Sequence, residues 1–89
     1  MKKIFVVGNK NCRNCKLLVN DMKTYGVDYT YVDYSNDSDI PILNKLENQH
    51  RITGFPTTFV VDNKFNAEVI IGYLKDSTIC KIIELNKNN

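Results

Sequence analysis

The change of hydrophobic period along the first 34 residues constrains the fold most. Residues 3–7, KIFVV, are β-branched and aromatic, as a buried strand should be, and Gly8 with Asn9 ends them. From Cys15 the apolar residues Leu18, Val19, Met22 and Tyr25 recur at three- and four-residue spacing, which predicts one buried helical face that stops at Gly26. DYTYVDY (28–34), rich in Tyr, Thr and Val, predicts a second strand. A right-handed crossover then makes the two strands parallel neighbours.

In SNDSDIPILNKLENQH (35–50), Asp37, Ser38 and Asp39 are capping candidates, Pro41 suits a first helical turn, and Leu43, Leu46 and His50 are expected on one face. After the breaker TGFP, the runs TTFVVD (57–62) and AEVII (67–71), joined by NKFN, predict a β-hairpin. Gly72 interrupts the pattern. The last helix, DSTICKIIELN (76–86), takes Asp76 as its expected N-cap and buries Ile79, Ile82 and Ile83. The order is β-α-β-α-β-β-α.

At 89 residues the chain is expected to be one domain, 1–86, with 87–89 as a polar tail. With 43% hydrophobic and 25% charged residues, neither disorder nor a disulfide-dense scaffold is indicated. The net charge of +2 is scattered rather than gathered into a basic stripe, so no nucleic-acid partner is expected. MKKIFVVGNKNC starts basic, but its apolar run is short and no small-residue cleavage site follows, so it does not read as a signal peptide. No run approaches membrane-spanning length, and no membrane partner is expected. In a reducing cytoplasm, the expected location, a C-x-x-C pair is catalytic or metal-binding more often than structural.

That pair is Cys12 and Cys15 of CRNC, at the junction of the first strand and helix. The first turn of a helix offers unpaired N–H groups and the positive end of the macrodipole, which stabilise a thiolate. Cys12 lies where this field is strongest. Cys15, already inside the helix, lies on the same side within bonding reach. Cys12 is therefore assigned as the nucleophile towards a substrate disulfide and Cys15 as the thiol that resolves the mixed disulfide. Lys10, Arg13 and Lys16 are expected to favour the thiolate further, against the alternative that they are only solvated surface.

CRNC between strand and helix, YVDY as the second strand, RITGFPTTFVVD opening the hairpin and IGYLKDSTI before the last helix together resemble the thioredoxin and glutaredoxin superfamily over essentially the whole chain. The resemblance implies the α/β thioredoxin fold, with a four-stranded mixed sheet of order 2-1-3-4 flanked by three helices. It further implies a cis Phe55–Pro56 bond facing the cysteines, and substrate binding by Phe55, Pro56, Thr57, Gly72 and Tyr73. The activity implied is dithiol–disulfide oxidoreduction, with no bound cofactor and an external reductant, either glutathione or a thioredoxin reductase with NADPH. Partners would be that reductase or glutathione and disulfide-containing proteins, ribonucleotide reductase among them by analogy with phage and bacterial redoxins. A monomer is expected, in the cytoplasm of a cell or, for a phage-encoded chain, of its host.

Departures from the family pattern bear on the branch. Thioredoxins carry Trp before the first cysteine, Gly-Pro between the two and a buried acid in the preceding strand; here stand Asn11, Arg13-Asn14 and an acid-free KIFVV. Glutaredoxins carry a Gly-Gly turn before the last helix, where this chain has Gly72-Tyr73. The reductant therefore stays open. Arg13 is expected to lift the reduction potential above the roughly −270 mV of thioredoxin.

Two other readings remain beside the enzyme: an adaptor module with this fold whose cysteines bear little on its role, and a cluster- or metal-carrying redoxin. Cys80 is expected to be a small buried hydrophobe. A zinc site from Cys12, Cys15, Cys80 and His50 is not expected, because two of its ligands would come singly from distant elements. Tyr25, Tyr29, Tyr31 and Tyr34 are read as packing, and Lys64 and Phe65 as turn residues, with an exposed Phe65 as a docking aid.

Overall fold

The fold is that of a computed structural model, described over residues 2–87. Its elements are β1 (Lys3–Gly8), α1 (Arg13–Thr24), β2 (Thr30–Asp33), α2 (Ile40–Gln49), β3 (Thr57–Val61), β4 (Ala67–Ile71) and α3 (Ser77–Lys87). The four strands form one sheet in the order β2-β1-β3-β4. β1 pairs parallel with β2 and antiparallel with β3, and β3 and β4 form the antiparallel hairpin. This is the sheet order and class that the family resemblance implied.

Strand pleating divides the core in two, because alternate side chains leave the sheet on opposite faces. Ile4 and Val6 of β1, Val60 of β3 and Ile70 of β4 pack with Leu18 and Met22 of α1 and Ile79 and Ile82 of α3. On the other face Phe5, Val7, Val32, Phe59 and Val61 pack with Leu43 and Leu46 of α2 and with Ile52. The central strands are thus covered on both sides, which explains the apolar runs IFVV (4–7) and FVV (59–61).

Local chemistry sets the ends of the elements. α1 stops at Gly26, whose φ of 64° suits a residue without Cβ; its N–H donates to the Lys23 carbonyl and that of Val27 to the Met22 carbonyl, a Schellman ending. In the β3–β4 turn the Asp62 carboxylate accepts from the N–H groups of Lys64 and Asn66, which hold its pKa below the usual carboxylate range. Phe65, at φ 61°, is half-buried rather than a free docking ring: it lies 6.4 Å from the Phe5 ring and beneath Lys45 Nζ.

Several expectations are corrected. β2 is shorter than 28–34: it spans Thr30–Asp33, and at its far end the chain turns at Tyr34 and Ser35, where Asn36 N–H donates to the Asp33 carbonyl. Tyr25 is exposed, since it belongs to the C-cap and not to the helical stripe. His50 is likewise exposed at the C-cap of α2. The cap before α2 is built differently from the expectation. Asn36 caps a short 3-10 turn at Asp37–Asp39 by accepting from Ser38 N–H, while Asp39 accepts from Asp33 N–H. Asp76 adopts a left-handed φ of 65° instead of the extended backbone of an ordinary N-cap, and the Thr78 hydroxyl accepts from Leu74 N–H.

Cys80 is exposed, not buried. At 100° per residue it points away from the stripe of Ile79 and Ile82, and Thr78 takes the buried position on the other side. Ile83 is only half-buried. α3 runs to Lys87, so the expected tail at 87–89 starts inside the helix, and residues 88 and 89 lie outside those described.

Gly8 marks a close approach. A Cβ there would overlap the hydroxyl and ring of Tyr31 on the neighbouring strand. Because those atoms are the free end of a side chain, the ring can swing aside. Gly8→Ala is therefore expected to destabilise the protein by about 1 kcal/mol, the low end of overpacking, measurable as a lower urea midpoint with an unchanged m-value.

Candidate functional site

The register brings four chain segments to one end of the sheet. Gly8 lies beside Asp33, Val7 opposite Thr57, and Thr57 opposite Ile71. The ends of β1, β2 and β4 and the start of β3 therefore meet there, and α1 begins after a loop of four residues.

Asn11 turns the chain into the helix with φ 61°, a conformation Asn tolerates better than most residues. This is a backbone role that the sequence analysis did not assign. Cys12 is the N-cap of α1, with extended dihedrals of −87° and 104°, and its Sγ accepts from Cys15 N–H at 3.2 Å. The sulfur thus stands where a capping oxygen ordinarily stands, on one of the helix's unpaired donors. Cys12 and Cys15 are joined as a disulfide, with Cα atoms 5.2 Å apart. Cys12 is half-buried and Cys15 is 1% exposed, so the site has one accessible and one enclosed sulfur.

Lys10, Arg13 and Lys16 are all exposed around this end. Lys10 also faces Asp33, whose carboxyl is held below the usual carboxylate range first by hydrogen bonds from the Ser35 hydroxyl and N–H, and then by the Lys10 charge. Part of the Lys10 field is thus directed at an acid. His50, Cys80 and the cysteine pair do not come together: among the described residues no cluster of three or more His, Cys, Asp or Glu could hold a metal ion.

The Phe55–Pro56 peptide is cis. The Phe55 ring meets Tyr34 edge-on at 5.2 Å, and the Pro56 carbonyl accepts from Gly72 N–H at 2.8 Å, which joins the Phe55–Pro56 segment to the end of β4. Gly72 has φ 80°, which explains the glycine. Thr57 is fully buried, and its hydroxyl donates to the Gly54 carbonyl at 2.7 Å. Its side chain therefore holds the 54–57 loop and does not face an incoming chain.

Tyr73 is half-buried against α1 and α3, and its hydroxyl donates to Asp21 Oδ2 at 2.7 Å. The carboxylate acceptor, with desolvation, pushes the Tyr73 pKa up to about 12. With the folded value above the ordinary 10, the contribution is complete below pH 10 and is lost as pH rises through about 12. Its hydroxyl is engaged in packing α1 against the β4–α3 turn.

No family model matches the sequence, and no curated protein matches it. Solved structures do match. The short form of spinach chloroplast thioredoxin f aligns with a TM-score of 0.74 at 14% identity, over 98% of this chain and 77% of that one. A chloroplastic thioredoxin z aligns at 0.68 with 22% identity, over 100% and 80%. A glutaredoxin from Archaeoglobus fulgidus aligns at 0.65 with 19% identity, over 99% and 89%. The chain has the thioredoxin fold.

Within the thioredoxin fold, which thioredoxins and glutaredoxins share, the Cys12–Cys15 pair, the cis Pro56 and Gly72 occupy one end of the sheet. Among the described residues no helix is long and apolar enough to cross a membrane.

Proposed function

We propose that this protein is a dithiol–disulfide oxidoreductase acting on protein disulfides. The observation that carries this reading is the Cys12–Cys15 bond at a helix N-terminus, with the accessible sulfur accepting a backbone N–H. In the reduced protein that donor and the helix field would hold the negative charge of the Cys12 thiolate, with Arg13, Lys16 and Lys10 adding positive potential. The Cys12 thiolate attacks one substrate sulfur, a mixed disulfide forms, and the first substrate thiol leaves. Cys15 then attacks Cys12 Sγ, the Cys12–Cys15 bond closes, and the second thiol leaves. Two electrons pass from the dithiol to the substrate, and an external reductant restores the pair.

Beside the pair, Phe55 is suited to hold an extended substrate. Among the described residues no backbone hydrogen bond uses its N–H or C=O, so both are open to pairing with a short added strand. Pro56 and Gly72 support that segment through their mutual hydrogen bond.

The test is reduction of insulin driven by dithiothreitol. Activity that disappears in Cys12→Ser supports the proposal; insulin reduction no faster than dithiothreitol alone overturns it. Glutathione, and separately NADPH with a thioredoxin reductase, offered to the oxidised protein then identify the physiological reductant class.

A further inference from the structure

Three threonines are the buried polar side chains of this core: Thr57, Thr58 and Thr78. The Thr57 hydroxyl donates to the Gly54 carbonyl, and the Thr78 hydroxyl accepts from Leu74 N–H. Thr58 is different. It is fully buried, and its Oγ1 is the buried side-chain polar atom that finds no partner among the described residues. An unmet hydroxyl in a closed core is destabilising by about 1–3 kcal/mol, and a valine of the same shape would avoid that.

Its place in the fold suggests what it serves. Thr58 lies opposite Val6 on one side and Ile70 on the other, and two residues before Val60. All three belong to the core beneath α1 and α3, so the Thr58 side chain leaves the sheet on that face. β1 and β3 meet at the site end through Val7 and Thr57, and the first turn of α1, which carries Cys15, begins at that end. Cys15 is itself 1% exposed. When the disulfide is reduced, a thiol appears at Cys15 that must become a thiolate to close the pair again, in a place water barely reaches. β1 contributes Ile4 and Val6 to this face and no polar group. The charged and titratable groups that line the cavity of about 370 Å³ beside Cys15 are Lys16 and Lys23 of α1 and Tyr31 of β2, all at its open flank.

We propose that Thr58 is the internal hydrogen-bond partner of the Cys15 sulfur in the reduced protein, donating to the thiolate that resolves the mixed disulfide. The inference rests on the oxidoreductase reading above. Thr58 is not a base: the Cys15 proton passes to solvent, and the hydroxyl lowers the cost of its leaving. The threonine idle in the oxidised state is thus kept for the reduced one, at the expense of stability in the oxidised form.

The experiment separates the two sulfurs. In a Cys80→Ser background, which removes the exposed third thiol, the reduced protein is mixed with 5,5′-dithiobis(2-nitrobenzoate) and the released thiolate is followed by absorbance. Cys12 attacks the reagent and releases the first equivalent; Cys15 attacks the Cys12 mixed disulfide, closes the Cys12–Cys15 bond and releases the second. Thr58→Val is expected to leave the first release unchanged and to slow the second roughly tenfold at neutral pH, the weight of one hydrogen bond to a charged group. The deficit should shrink as pH rises and Cys15 ionises unaided. Thr58→Ser should restore the rate, and oxidised Thr58→Val should melt no lower than the parent. A second release as fast in Thr58→Val as in the parent overturns the inference, as does a Thr58→Ser as slow as the valine variant. Should Thr58→Val not fold, Thr58→Ala gives the same comparison. If the unsubstituted protein shows no second release, it is the oxidoreductase reading that fails.

Discussion

Cys15→Ser is expected to convert a turning-over enzyme into a trap. Cys12 keeps its position as N-cap and its place in the helix field, so the first exchange proceeds and the substrate becomes bonded to Cys12. What disappears is the enclosed sulfur, held with its Cα 5.2 Å from that of Cys12. Release then waits for an external thiol. An intramolecular thiol acting at even about 1 M exceeds millimolar external thiol by roughly 10³-fold, and well-oriented groups reach far higher effective molarities. Turnover should fall by at least about 10³-fold, while a stoichiometric covalent adduct, cleaved by excess dithiothreitol, accumulates on a non-reducing gel. Undiminished turnover would mean that Cys15 does not resolve the intermediate.

Phe59→Ala should have the largest effect on stability. Phe59 is fully buried in the middle of β3, paired with Phe5 on one side and Val69 on the other, and it belongs to the core that α2 covers. Truncation removes the ring and leaves a cavity that its β-sheet neighbours cannot collapse into, at a cost of about 3–5 kcal/mol. A domain of 89 residues has about 4–13 kcal/mol in total at typical values per residue. The variant should therefore lose a large part of its stability, read as a fall in urea midpoint. A loss below about 1.5 kcal/mol would show that the α2 side repacks freely.

The two predictions draw on parts of the molecule that differ in how far they could be read in advance. The junction of KIFVV with CRNC is a local matter: a strand period, a break at Gly8 and a helical period follow one another within 25 residues, so the cysteine pair could be placed at a helix start before any tertiary contact was known. Pro56 and Gly72 were legible in the same way only as breaks at the hairpin ends; their place at the site came from the family resemblance. Tyr73, Thr57 and Cys80 were not. Tyr73 was read from the resemblance as a substrate contact, and its hydrogen bond to Asp21 of α1, 52 positions away, has no signal in the local sequence. Cys80 was a small apolar residue beside an apolar stripe, and the rotation of α3 on the sheet placed it outside.

Thr57 and Thr58 make the same point most sharply. They are adjacent, identical and both fully buried. Strand alternation alone says that they face opposite sides of the sheet. Sequence could determine the order of elements, the expected pairing of β1 with β2 and the place of Cys12 at the start of a helix, because each depends on residues near one another in the chain. Which threonine ties down the 54–57 loop and which is left without a partner beneath α1 was decided by the antiparallel register of β3 on β1 and by the helix that covers that face. Such contacts join residues some 50 positions apart along the chain, and no local period encodes them.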